Sequence, residues 1–210
     1  MRRQRASRIS AALLAILLFA PGSRLPAQEI VYSEDEVKAA FLYHFGTYVE
    51  WPTAVPAGEA VTVAVLGDDG VVEQLERFLP GRTIADRPVE ARRIESLDEL
   101  DGAEILMIGR AEAFRLAAHI EAVGQAPTLI VTDSPAGLAA GAMINFRIVD
   151  DRVRFEISAA AAQAAGLALS SRLLSAALSV DTVGRNTPAE LQFLRTVSVL
   201  VTALEHPQPM

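Results

Sequence analysis

Three short runs of unbroken apolar residues, each halted by glycine or a polar turn, constrain this chain more than any other feature. They are VTVAVL at 61–66 before Gly67-Asp68-Asp69, ILMI at 105–108 before Gly109, and LIV at 129–131 before Thr132-Asp133-Ser134. A strand with one wet face alternates, whereas a strand apolar at every position needs cover on both faces, the condition of a parallel sheet between helix layers. Helix-like stretches at 71–79 and 112–123 lie between the runs, and 88–94 reads as another strand. The pattern is α/β: a single layered domain with a mixed, largely parallel sheet and flanking helices.

From Met143 to Ile157 the period switches to two, which adds a β-hairpin in the C-terminal half. With Asp150-Asp151 as the turn, Ile148 faces Val153, Phe146 faces Phe155 and Ile144 faces Ile157 on one apolar side. The other side pairs Asn145 with Glu156 and Arg147 with Arg154. Two arginines directly opposed repel, so either Glu156 and nearby acids neutralise them or an anionic partner does.

Helix punctuation completes the outline. Ser33 with Glu36 is a capping box opening a helix over 37–49, which Trp51-Pro52 ends because the residue before proline avoids the α region. Its residues Val37, Phe41, Leu42, Tyr43, Phe45, Tyr48 and Val49 cover more than one stripe, so burial on several sides is expected. Ser158 caps an alanine-rich helix stopping at Gly166, and Ser170 or Ser171 starts another through Leu178. Gly137 and Gly141 flank a turn before the hairpin and are expected to supply positive φ angles. Thr187-Pro188-Ala189-Glu190 is a second capping box with proline at the first helical position, leading an apolar stripe of Leu191, Leu194, Val197, Val201 and Leu204.

The first 27 residues read as a cleavable secretory leader. Arg2, Arg3, Arg5 and Arg8 precede an apolar run at 11–20, too short to span a bilayer, and Leu25-Pro26-Ala27 offers a cut before Gln28. The expected division is therefore a leader at 1–27, an α/β domain at 28–183 and a helical extension at 184–210 beginning with a linker. Removing the leader takes away Arg2, Arg3, Arg5, Arg8 and Arg24 and no acid, so the formal charge moves from -7 to -12. Nucleic acid is excluded as a partner, because phosphates demand a basic footprint.

Chemistry finds few materials. Without cysteine there are no disulfides or thiolate metal sites, and His44, His119 and His206 lack the paired spacing of zinc hydrolases. No glycine loop for phosphates follows any candidate strand, and Ser134, Ser158, Ser170 and Ser171 have no nucleophile-elbow context. Neither metal nor cofactor is expected, nor an enzyme. Asp68, Asp69, Asp133 and Ser134 follow strands, at the carboxyl edge where open α/β sheets bind ligands. Helix-cap and loop duty competes with a ligand role for them. A phospho-acceptor site of the receiver kind would need a lysine after a late strand, and the single lysine, Lys38, stands on the first helix.

EVKAAFLYHFGTYVEWP at 36–52 resembles the opening signature of the YfiR family of periplasmic regulators. VAVLGDD at 63–69, the GR and RPVEARRI blocks between Gly81 and Ile94, GAMINFRIVDDRVRFEI at 141–157 and AGLALSSRLLSAAL at 165–178 resemble its later blocks in order. His44, Ala142 and Ser158 depart from it, standing where asparagine, glycine and asparagine are common. The resemblance implies a periplasmic, non-enzymatic, often homodimeric protein that binds and inhibits the periplasmic part of an inner-membrane diguanylate cyclase, lowering cyclic di-GMP and biofilm. Carried onto this chain, it offers Tyr43, Glu50, Trp51, Asn145, Arg147 and Arg154 as partner-binding residues. Another membrane sensor protein could be the partner; the alternative role is a small-ligand-binding accessory of a sensor histidine kinase or transport system, using the loops of Asp68, Asp69 and Asp133.

Overall fold

The computed structural model describes residues 32–52 and 59–182. The expected leader and the C-terminal extension with its capping box lie outside the described residues.

Helices α1 (Glu34–Thr47), α2 (Asp69–Phe78), α3 (Leu116–Val123), α4 (Gly137–Ala140), α5 (Ala159–Ala164) and α6 (Ser171–Ala176) alternate with ten strands. The strands are β1 (Val49–Glu50), β2 (Val61–Leu66), β3 (Thr83–Ile84), β4 (Arg87–Ile94), β5 (Ile105–Ile108), β6 (Leu129–Thr132), β7 (Ile144–Val149), β8 (Arg152–Ser158), β9 (Ala168–Leu169) and β10 (Val180–Asp181). Eight form one sheet in the order β10-β8-β7-β6-β5-β2-β4-β3, and β1 pairs with β9 separately. Its centre, β4-β2-β5-β6-β7, is parallel throughout. Each of the three apolar runs is one of these strands, and all four residues of β5 are 0% exposed. Burying side chains of that size contributes about 1.5–3 kcal/mol each, which makes the parallel centre the main source of stability.

The crossover from β2 to β4 runs one way along the sheet and that from β5 to β6 the other. Right-handed crossovers then place α2 and α3 on opposite faces. α1 packs beside α2, and α4 beside α3.

The hairpin has the expected register at every pair, Ile144 with Ile157 through Val149 with Arg152. Asp150 and Asp151 take φ of 50° and 56°, the two left-handed residues of a turn that matches strand twist. Its apolar face receives α1: the rings of Phe41 and Phe45 lie 5.4 and 5.0 Å from that of Phe155, and Phe45 lies 5.7 Å from Phe146. Such ring pairs add about 0.5–1.5 kcal/mol each beyond their burial.

Several boundaries differ from expectation. α1 stops at Thr47, not at 49, because Val49 and Glu50 pair with Leu169 and Ala168 and the Tyr48 carbonyl accepts from the Ser170 N–H at 2.9 Å. The stretch at 112–123 is a 3₁₀ turn over Arg110–Glu112 followed by α3, and α6 ends at Ala176. The capping box of Ser33 and Glu36 and the cap of Ser158 form as expected, and of the two serines before α6 it is Ser170 that caps it.

Gly141 has its positive φ, 111°, but Gly137 does not. Gly137 opens α4, and a Cβ there would lie 2.5 Å from Asn145 Oδ1 and 2.6 Å from Thr132 Cγ2. Its reason is space for a buried neighbour, which no local turn signal reveals.

Candidate functional site

The chain order of the parallel strands reverses between β2 and β5, the position where open α/β sheets form a crevice at their carboxyl edge. Here the crevice is closed from two directions. The Gly109 N–H donates to the Leu66 carbonyl at 2.8 Å, drawing the loops after β5 and β2 together. From above, α1 lowers Lys38 into the edge, where it is 3% exposed.

Lys38 Nζ donates to Asp133 Oδ2 at 2.7 Å, lies 2.7 Å from Glu34 Oε1 and 4.0 Å from Asp68 Oδ2. Burial works against its charge, but the hydrogen bonds and attraction of Asp133 and Glu34 outweigh it and hold its pKa above the ordinary value. Arg110 Nη2 adds a second cation 3.5 Å from Asp133. Asp133 Oδ1 is buried without a hydrogen-bond partner.

The four loop residues singled out in the sequence are thus engaged within the fold. Asp68 caps α2, accepting from the Val71 N–H at 3.2 Å, and Asp69 pairs with Arg93 at 2.8 Å. Asp133 holds Lys38, and Ser134 is buried beside Thr132, whose hydroxyl accepts from the Ser134 N–H at 3.3 Å. Among the described residues, no group of three or more His, Cys, Asp or Glu is placed to hold a metal. Lys38 is what sequence reasoning missed, having set it apart because it stands on the first helix. The available signal was that no other lysine exists and that Glu34 lies one helical turn before it.

Asp68 yields a pH prediction. Burial raises its carboxyl above the ordinary range, with Asp35 and Asp133 adding to the rise, against the Val71 N–H and Lys38. A raised folded pKa gives stability that is fully present below the ordinary value and lost as pH rises through the folded one, so the ionised form is a cost at neutral pH. Asp68→Asn keeps a good cap. Its urea midpoint should exceed the parent's at neutral pH, and the gap should close below 3.8, the ordinary value. A parent more stable than the variant at neutral pH contradicts this account.

The same edge carries exposed features. β6 ends at Thr132, opposite Asn145, so residues 146–149 of β7 run on without a β6 partner and carry the hairpin roughly 13 Å past it at about 3.3 Å per residue. Ile148 is 47% and Val149 38% exposed at its end, and Phe114, between the β5 loop and α3, is wholly exposed.

The partner-binding candidates are dispersed. Arg147 is 3.8 Å from Glu156, and Arg154 makes no ion pair among the described residues, so neutralisation of the opposed arginines is partial. Asn145 is 1% exposed, its amide reaching Glu156 at 3.4 Å, which turns it toward α4 and away from the surface. Tyr43 donates its hydroxyl to the Thr83 carbonyl at 3.1 Å, under the Arg82 guanidinium. Glu50 is exposed on β1, and Trp51 packs half-buried on the core with its Nε1 unpaired.

A family profile, described as YfiR/HmsC-like, matches residues 35–178. The chain belongs to the YfiR/HmsC-like family. At family level, YfiR/HmsC-like membership supports a periplasmic regulatory role in cyclic di-GMP signalling, regulatory rather than catalytic. A conserved domain protein from Vibrio cholerae O1 biovar El Tor, solved by crystallography, is similar with a TM-score of 0.50 at 11% identity, over 70% of this chain and 60% of that one. At that identity the likeness concerns the fold alone, and this chain spans less than two thirds of its neighbour. No curated protein matches the chain. No helix among the described residues is long and apolar enough to cross a membrane.

Proposed function

We propose that this YfiR/HmsC-like chain, exported and freed of residues 1–27, binds the periplasmic sensor part of an inner-membrane diguanylate cyclase and holds it inactive. The observation that carries the reading is the protruding hairpin, whose end combines exposed Ile148 and Val149 with Arg147 and Arg154. Arginines are among the usual anchors of a protein interface, apolar side chains beside them help to exclude water, and an under-neutralised arginine pair invites acidic groups from a partner. Inhibition follows when the inactive receptor conformation is bound more tightly than the active one, by as much as the two affinities differ.

Two measurements test this. The mature chain should co-purify with a cyclase from solubilised inner membranes, and a strain lacking it should contain more cyclic di-GMP. Arg147→Glu combined with Ile148→Asp should leave stability within about 0.5 kcal/mol, as surface changes do. Binding should weaken about 30-fold, the loss of roughly 2 kcal/mol expected at an anchor. Unaltered binding by this variant removes the hairpin from the interface, and unaltered cyclic di-GMP in the deletion strain removes the function.

A further inference from the structure

α1 carries apolar residues on more than one side, and each such side needs cover. The described residues cover it only partly. Ala39, Leu42 and Phe45 are buried, and Tyr43 packs edge-on against Phe78 of α2 at 5.7 Å. The side bearing Val37, Ala40 and Phe41 opens onto a groove of about 610 Å³ whose far wall is Gln74, Arg77 and Phe78. A second hollow of about 290 Å³ shares Phe41 and His44 with it and continues to Arg172 and Ala176 of α6. The two make one trough along α1 from Val37 to Tyr48, roughly 17 Å at about 1.5 Å per residue.

We propose that this trough seats the chain's own C-terminal segment, residues 187–204. Its stripe of Leu191, Leu194, Val197, Val201 and Leu204 has helical spacing over 13 steps, roughly 20 Å at the same rise, a match in length to the trough. Charge matches at the tethered end, where Glu190 opens the stripe and Arg172 lines the second hollow beside α6. Reach is sufficient. Val180 pairs with Ile157, two residues from Phe155 in the trough wall, and the Leu178 N–H donates to the Phe155 carbonyl at 2.8 Å. The five residues 183–187 then extend up to about 17 Å before Pro188. A segment tethered so near its seat binds at a high effective concentration, which favours it over the same segment of a second copy.

The test uses the full mature chain with the photo-reactive residue benzoylphenylalanine in place of His44, the exposed position common to both hollows. Irradiation followed by peptide mapping should join position 44 to a peptide within 188–204, in a product of single-chain mass under denaturing conditions. Joining only between two chains, joining only to residues 28–31, or no joining to 188–204 each overturns the proposal. Independently, Leu194→Asp with Val201→Asp should speed amide exchange at the exposed face of α1 and raise binding of an apolar dye several-fold. Exchange and dye binding unchanged from the parent also overturn it.

Discussion

Replacing Lys38 by methionine should destabilise the protein by about 3 kcal/mol, a large part of the 5–15 kcal/mol that holds a domain of this kind together. Methionine fills nearly the same volume, so the loss is electrostatic. Glu34 is 41% exposed and turns to water, but the Asp133 side chain is 4% exposed and cannot. One of its oxygens already lacks a partner, and removing Lys38 strands the other in a low-dielectric site. Breaking a buried pair in this way costs about 3–5 kcal/mol; the lower end applies because Arg110, 3.5 Å from the same oxygen, takes up part of the charge. Urea unfolding measures it. Asp133→Asn added to Lys38→Met should restore much of the loss, since the carboxylate that cannot turn to water is then neutral, whereas a uniform loss in both variants would point to packing instead. Because Lys38 has a raised pKa, its contribution should persist below its ordinary value of 10.5 and fade only as pH rises through the higher folded one.

Gly109→Ala should cost about 3 kcal/mol, the upper end of what overpacking does. The backbone there is ordinary, with φ of -73° and ψ of 167°, so conformation is no obstacle to alanine. Space is. A Cβ would stand 2.4 Å from the Gly67 carbonyl oxygen and 2.7 Å from Asp68 Cβ, and neither is the yielding tip of a long side chain. Relief requires parting the loops after β2 and β5, which breaks the Gly109–Leu66 hydrogen bond and lifts Asp68 from the Lys38 cluster. Gly81→Ala is the comparison: its φ is 77° with nothing within 4 Å of the added carbon, so only a conformational cost of about 1–2 kcal/mol applies. Equal melting temperatures for the two variants would contradict the contact.

Both predictions concern a place where sequence reading reached its limit. The doublets and glycines after the apolar runs mark where strands end, and they place Asp68, Asp133 and Gly109 near one sheet edge. That Gly109 touches the Gly67 carbonyl depends on β2 and β5 lying side by side, and the 38 residues between the end of β2 and the start of β5 include two other strands, β3 and β4. Asp133 and Lys38 lie 95 residues apart, and nothing local to either signals the other. The neighbours of Gly137 mark it as a turn glycine, yet the oxygen it must avoid belongs to the Asn145 side chain, in β7.

What the amino-acid order determined by itself is whatever depends on spacing of a few residues: buried strands from continuous apolarity, the hairpin register from its period of two around Asp150-Asp151, and the helix starts at Ser33, Ser158 and the Ser170-Ser171 pair. These follow from bond geometry and short-range hydrogen bonding, so they are written into consecutive residues. Tertiary structure alone decided which carboxylate Lys38 neutralises, which glycines are needed for space, and where α1 gives way to β1. Those outcomes are set by which surfaces the sheet order brings within a few ångströms, and burial then makes the resulting contacts strong, because charges and overlaps cannot escape to water.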